Sequence, residues 1–210
     1  MSYYVDLFLR PKQAVNYALQ NPSMIRSIAF VLLGTFAGVL ASLLLQGAIF
    51  MDIIIGTLFS DFLRWIVSGF LLLVIGLLFK KIPINALNIS RALSTLSQIS
   101  VYGFFMLLVL GLILPAIAFP ALLSGISDWN AGNIGEDEFI QILDQSFVTI
   151  ADTIVIALPL ILLGLLFIFY SAYVLFLSIE KYLDTSVFKS ILVWVLVVSV
   201  QGAVLIFLSA

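Results

Sequence analysis

The chain has 210 residues, of which 63% are hydrophobic and only 10% charged, and its formal net charge is −2. A soluble domain carries about 25% charged residues, so this composition excludes a water-solvated globule and indicates a chain solvated by lipid. The sequence contains no cysteine and no histidine, which excludes disulfides, thiolate or imidazole metal ligands and the commonest catalytic bases.

Residues 1–22 predict an interfacial segment that precedes the first membrane span. Pro11 suits the first position of a helix, after which one face collects the apolar residues Ala14, Val15, Ala18 and Leu19. We expect this short helix to lie on the membrane surface and to end at the Asn21-Pro22 pair. Because the segment lacks the uninterrupted apolar core of a signal peptide, no cleavage is expected.

The first two membrane spans are predicted at residues 25–50 and 53–79, and the very short connection at Asp52 makes them an antiparallel hairpin. Small residues repeat every fourth position along the first span, at Gly34, Gly38 and Ser42. Such a stripe permits close approach of a second helix. We expect it to serve packing within the chain, and homodimerisation is the alternative.

Two charged residues, Asp61 and Arg64, lie inside the second span. A charge at membrane depth costs at least about 2.5 kcal/mol, so a partner or a wet cavity is expected. One interpretation is a self-neutralising pair in the helix bundle, because residues three apart share a helix face, with Gln46 and Gln201 as candidate polar partners on neighbouring spans. The other is a proton or ion relay or a headgroup contact. We favour the structural interpretation because the opposite charge is supplied by the same helix.

The second half of the chain predicts three further spans and one more interfacial helix. A weakly charged amphipathic stretch after Pro83 is typical of a helix that lies in the interface before entering the membrane. The spans themselves are predicted at residues 101–118, 153–179 and 187–208. Pro159 predicts a kink in the fourth span, because a proline inside a helix removes a backbone hydrogen bond.

The connection 119–152 is predicted to be an acidic external loop followed by an amphipathic helix. Its front is similar to a calcium-binding loop that begins at Asp128. The position that requires glycine is Asn133, however, and the position that requires a bidentate glutamate is Phe139. We therefore predict no metal site. A weak calcium alternative keeps as candidate ligands Asp128, Asn130, Glu136 and Glu138.

The basic residues predict the orientation of the chain. With five spans, one side of the membrane receives every lysine and arginine except Arg64, namely Arg10, Lys12, Arg26, Lys80, Lys81, Arg91, Lys181 and Lys189. Positive charge marks the cytoplasmic side, so we expect the N-terminus in the cytoplasm and the C-terminus outside or in a lumen. The predicted fold class is an all-α, polytopic membrane protein that forms a single domain over residues 1–210.

Three stretches carry a family resemblance: LFLRPKQAVNYALQNP before the first span, SRALSTLSQISVYGFF entering the third, and FKSILVWVLVV opening the last. The chain resembles the Yip (Ypt-interacting protein) domain family of five-span membrane proteins. In eukaryotic members this implies a role in vesicle traffic through Rab-type GTPases and sister proteins. Those members carry a longer cytoplasmic N-terminal region, whereas this chain is at the membrane by Ile25, so it resembles a short prokaryotic relative. The resemblance transfers no functional residue.

The sequence therefore predicts a non-enzymatic multi-pass membrane protein with an interaction or membrane-organisation role. The expected location is the cell membrane, or an endomembrane in a eukaryote. Its expected partners are the lipid bilayer and a membrane-protein partner or further copies of the chain; no cofactor and no nucleic acid is expected. An intramembrane aspartyl protease would need two facing carboxylates, and only Asp61 is deep in a span. The alternative is a small transporter or channel that uses Asp61 and Arg64.

Overall fold

The computed structural model describes residues 3–46, 51–118, 120–148 and 150–209, and these residues form helices with no strand among them. In the N-terminal half the helices are α1 (Tyr3–Leu9), α2 (Pro11–Gln20), α3 (Met24–Gln46), α4 (Met51–Lys80), α5 (Ala86–Leu96) and α6 (Gln98–Leu107). A π-helical segment (Leu108–Ile113) follows, and then α7 (Leu114–Ala118), α8 (Pro120–Asn130), α9 (Glu136–Val148), α10 (Ile150–Leu183) and α11 (Val187–Ser209).

Among the described residues, five stretches of helix are long and apolar enough to cross a membrane: Met24–Ala41, Ile54–Lys80, Ala86–Ile117, Thr153–Leu183 and Val187–Val204. This confirms the prediction of an all-helical chain with five candidate spans. The third stretch begins at Ala86, earlier than predicted, because α6 follows α5 after the single residue Ser97, which itself keeps helical dihedrals. Asn85 starts this run, since its side chain accepts the backbone N–H of Asn88 at 2.9 Å.

The chain divides into two compact units. The first comprises Met1–Gly34, Leu58–Tyr102 and Tyr170–Ala210, and the second comprises Thr35–Thr57 and Gly103–Phe169. The core of the first unit is apolar and draws on α4, α5, α10 and α11, for example through Leu72, Ala92, Ile179 and Val197. All nine basic residues of the chain belong to the first unit.

In the first unit the N-terminal residues fold as two short helices. Pro11 is at the N-terminus of α2, as predicted, and α2 packs against α1 and α5. The predicted apolar face is buried within the protein, with Ala14, Val15 and Ala18 at most 1% exposed. The apolar face of α2 therefore packs on protein, and the placement of this helix at the membrane surface stays a prediction.

In the second unit the helix of the third span widens at Leu108–Ile113, where the N–H of Leu114 donates to the carbonyl of Val109, five residues back. Pro115 follows at once and has no N–H to offer the previous turn, so a change of hydrogen-bond register is expected there. In the fourth span the proline does not change the type of helix, because α10 continues as an α-helix through Pro159.

The outer connection is more helical than predicted. The front of the connection 119–152 was predicted to be a loop, but α8 occupies Pro120–Asn130, and this part of the prediction was wrong. The reason is tertiary: a Cβ atom at Gly125 would lie 2.8 Å from Cγ2 of Ile142, so the glycine lets α9 approach α8 closely. The rings of Trp129 and Phe139 also stack with centroids 4.6 Å apart.

Candidate functional site

The charged residues of the second span form an ion pair on α4. The guanidinium of Arg64 contacts the Oδ1 atom of Asp61 one helical turn earlier. The two side chains keep 32% and 20% of their surface exposed, respectively. The pair is therefore partly buried, and each charge finds its counter-ion on the same helix, as the i, i+3 spacing allows.

One atom of this pair has no hydrogen-bond partner among the described residues. The Nε atom of Arg64 is buried, and no acceptor for it occurs among the described residues. A buried donor without an acceptor costs about 1–3 kcal/mol. A water molecule that reached this atom would accept its hydrogen bond and remove that cost. The energetic cost of packing α4 at this point therefore depends on whether water reaches the pair.

The predicted partner Gln201 bonds a residue one helical turn beyond the pair. Its Nε2 atom, on α11, donates to Oγ of Ser68 on α4 at 2.9 Å, and Ser68 is 1% exposed. Ser68 follows Arg64 by four residues, so it extends the same helix face by one turn. Ser68 was not among the predicted site residues, although its spacing from Arg64 could have identified it. The side chain of the other predicted partner, Gln46, lies outside the described residues.

The rotation of α4 is set next to the ion pair by Trp65. Its indole N–H donates to the carbonyl of Leu93 on α5 at 2.9 Å, and its ring is buried in the core of the first unit. Phe62 packs edge-on against it with ring centroids 5.9 Å apart. Because Trp65 directly follows Arg64, this contact with α5 positions the neighbouring arginine and, one turn further on, Ser68.

The glycines of the small-residue stripe face other helices within their own units. A Cβ atom at Gly34 would lie 3.1 Å from the carbonyl oxygen of Ser100, and one at Gly38 would lie 3.5 Å from Cγ2 of Thr57. The side chain of Ser42 lies outside the described residues. The two glycines therefore make close approaches inside the chain, and homodimerisation through the stripe stays a prediction.

The candidate calcium ligands are spread over an exposed region of the second unit. Asp128 and Asn130 are in the last turn of α8, and Glu136 and Glu138 are in the first turn of α9. Asn133 donates from its amide to the carboxylate of Asp128 at 3.4 Å. In the part of the chain that the structure describes, no three acidic side chains are grouped to hold a metal ion. The glutamates are well placed for another reason, since the helix dipole favours acids in a first turn.

The described fold defines a class: a helical chain with five stretches able to cross a membrane, compatible with a multi-pass membrane protein. No family model, no curated protein and no solved structure matches this chain. Function must therefore be inferred from its own residues.

Proposed function

We propose that this chain is a non-enzymatic, multi-pass membrane protein that organises the membrane through its lipid-facing surface and a protein partner. The observation that carries the proposal is the ion pair of Asp61 and Arg64, which closes within one turn of α4. A transport site needs a charged group that can exchange its partner. A charge whose counter-ion is held by the same helix instead stays paired and stabilises the packing of the helices, and we call such a pair a polar fastener. The resemblance to the Yip family implies the same kind of role.

A specific observation favours a second function, a small transporter or channel. The Nε atom of Arg64 is buried without an acceptor among the described residues, and both charged side chains keep some exposure. Water or an ion beside the pair would satisfy this atom. In this alternative the pair is the site at which a proton or ion is relayed.

A charge-swap experiment separates the two functions. The variant Asp61→Arg/Arg64→Asp keeps an ion pair, whereas Asp61→Asn removes one charge. For a fastener, the swap should restore most of the melting temperature lost in Asp61→Asn. Wild-type proteoliposomes with a pH-sensitive dye should then show no more flux than protein-free liposomes. A flux by the wild type that is lost in folded Asp61→Asn would contradict the fastener and favour the transporter.

We propose that the N-terminus lies in the cytoplasm, because the distribution of the basic residues along the chain predicts this orientation. Because the sequence contains no cysteine, single cysteines can be introduced as unique labels. Lys12→Cys should react with a membrane-impermeant maleimide only after the membrane is permeabilised, and Asn130→Cys should react in intact cells. The reverse pattern would contradict the orientation.

We also expect a membrane-protein partner. Affinity purification of the wild type from native membranes should recover it, and the variant Asp61→Asn/Arg64→Gln should recover the same partner.

A further inference from the structure

A basic cavity of about 510 Å³ lies at one end of the first unit. The last residue of α4, the turn after it, one face of α5 and the last turn of α10 line it, with Leu19 and Gln20 from the end of α2. Its volume is in the range of pockets that hold small ligands, about 300–1,000 Å³. It shares no residue with the site of Asp61 and Arg64.

Four cationic side chains line the basic cavity, from Lys80, Lys81, Arg91 and Lys181, and no carboxylate is among the lining residues. Among the residues that the structure describes, Lys181 alone of these four has an acidic partner, the adjacent Glu180, at 3.4 Å. Arg91 donates to two neutral acceptors, the carbonyl of Leu19 at 3.1 Å and the side-chain oxygen of Asn88 at 3.2 Å.

In the described part of the chain no ion pair joins Lys80 or Lys81 to an acid. Three of the four charges around the basic cavity thus lack a neutralising carboxylate there. A concave site lined by one sign of charge attracts an ion of the opposite sign. The lining of the basic cavity therefore favours an anion over a neutral or cationic ligand.

Lys81, in the turn after α4, has an energetically unfavourable backbone conformation. Lys81 has φ of +53°, a left-handed conformation that is unfavourable for residues with a Cβ atom. Two backbone hydrogen bonds stabilise it: the N–H of Lys81 donates to Leu77 at 3.1 Å, and the N–H of Ile82 donates to Gly76 at 3.2 Å. A glycine would adopt this turn without strain. The chain has a cation there instead, next to the cation of Lys80.

The basic cavity lies where two apolar helices end. Lys80 is the last residue of one candidate span, and Lys181 is in the final turn of another. Leu78 and Phe79, just before Lys80, are both 71% exposed, and the exposed Ile84 follows the lysines. Exposed apolar side chains beside a cluster of cations match a phospholipid, in which acyl chains adjoin a phosphate.

We propose that the basic cavity binds the phosphate-bearing headgroup of an anionic phospholipid. The lysines and Arg91 contact the phosphate oxygens, for which charge-assisted hydrogen bonds are strongest. The acyl chains lie along the exposed surface of Leu78 and Phe79. This site is additional to the proposed function, because neither the fastener nor the transporter uses it.

The test is a lipid titration of the full chain in neutral detergent, read by native mass spectrometry and by thermal melting. Phosphatidylglycerol should bind and raise the melting temperature, and phosphatidylcholine should not. Lys80→Gln/Lys81→Gln should bind phosphatidylglycerol about 30-fold more weakly, the effect of two basic residues at a membrane surface. The matched control is Lys12→Gln/Lys189→Gln, which removes two exposed lysines outside the cavity and should bind as the wild type does.

Two single variants separate binding from folding. Lys81→Gly should melt at a higher temperature without lipid, because it relieves the left-handed backbone, and yet bind phosphatidylglycerol more weakly. Lys81→Arg should keep the binding. Equal binding of phosphatidylcholine, or an equal loss in the control variant, would overturn the proposal. Protection by inorganic phosphate or glycerol 3-phosphate that equals protection by the lipid would overturn the assignment to a phospholipid.

Discussion

The phenol hydroxyl of Tyr102 in α6 donates a hydrogen bond to the backbone carbonyl of Leu7 in α1, 95 positions earlier in the chain. Both residues are buried, and the neighbouring carbonyl of Phe8 accepts a second phenol, that of Tyr170 in α10, at 2.5 Å. The last carbonyls of a helix have no partner within it. Two candidate spans therefore supply the bonds that close the end of α1.

Replacing Tyr102 by phenylalanine should destabilise the protein by about 1–3 kcal/mol, because it leaves the buried carbonyl of Leu7 without its donor. Thermal unfolding in detergent measures this loss. Tyr173→Phe is the matched control, since Tyr173 is 48% exposed, and it should melt as the wild type does. Equal melting temperatures for Tyr102→Phe and the control would show that the bond does not hold α1.

Arg26→Lys should cost about 1 kcal/mol in stability, although it keeps the charge. The guanidinium of Arg26 lies over the rings of Tyr3 and Tyr17, 4.5 Å and 5.4 Å from their centroids, and donates to the carbonyl of Asn21 at 2.7 Å. A lysine has no planar group to make these contacts together. Chemical unfolding should show the loss, and Arg10→Lys, at an exposed position, should show none.

The stability of the protein should fall between pH 10 and pH 12 in part because of Tyr3. Burial raises the pKa of Tyr3 from 10.0 to about 12, and the charge of Arg26 opposes this shift. The folded protein therefore keeps a proton that the unfolded chain releases. The contribution is fully present below pH 10 and is lost as the pH rises through this window.

The Tyr3→Phe variant tests this directly, since it removes the titrating group. Its melting temperature should fall less steeply between pH 10 and pH 12 than that of the wild type. At pH 7 it should be at least as stable as the wild type, because the buried hydroxyl that it removes has no hydrogen-bond partner among the described residues. Tyr4→Phe removes an exposed hydroxyl from the same helix, and equal flattening in both variants would contradict the prediction.

The hydrogen bond between Gln201 and Ser68 should behave as a coupled pair. Gln201→Leu alone should cost about 1 kcal/mol, because it leaves the buried hydroxyl of Ser68 without its donor. Gln201→Leu/Ser68→Ala should cost less than the sum of the two single variants. Unfolding of all four proteins measures the coupling, and strictly additive losses would mean that the bond contributes nothing.

The five candidate spans could be predicted from the sequence because hydropathy is a local property: a long apolar helix is recognisable without knowledge of its neighbours. The pairing of Asp61 with Arg64 could be anticipated for a related reason, since residues three apart meet on any helix. The helix α8 could not be predicted from its local sequence. Its loop-like composition folds as a helix because Gly125 lets Ile142 of α9 approach it.

Contacts between distant helices depend on tertiary structure, because the rotation and height of each helix decide which polar atoms come within hydrogen-bond distance. Only the structure shows that Gln201 bonds Ser68, that Tyr102 closes the end of α1, and that the ends of α4 and α10 meet α5 around one cavity. The sequence by itself predicted an all-helical chain with five candidate spans and, apart from Arg64, its basic residues on one side. The tertiary structure decided that four of these residues surround a single cavity.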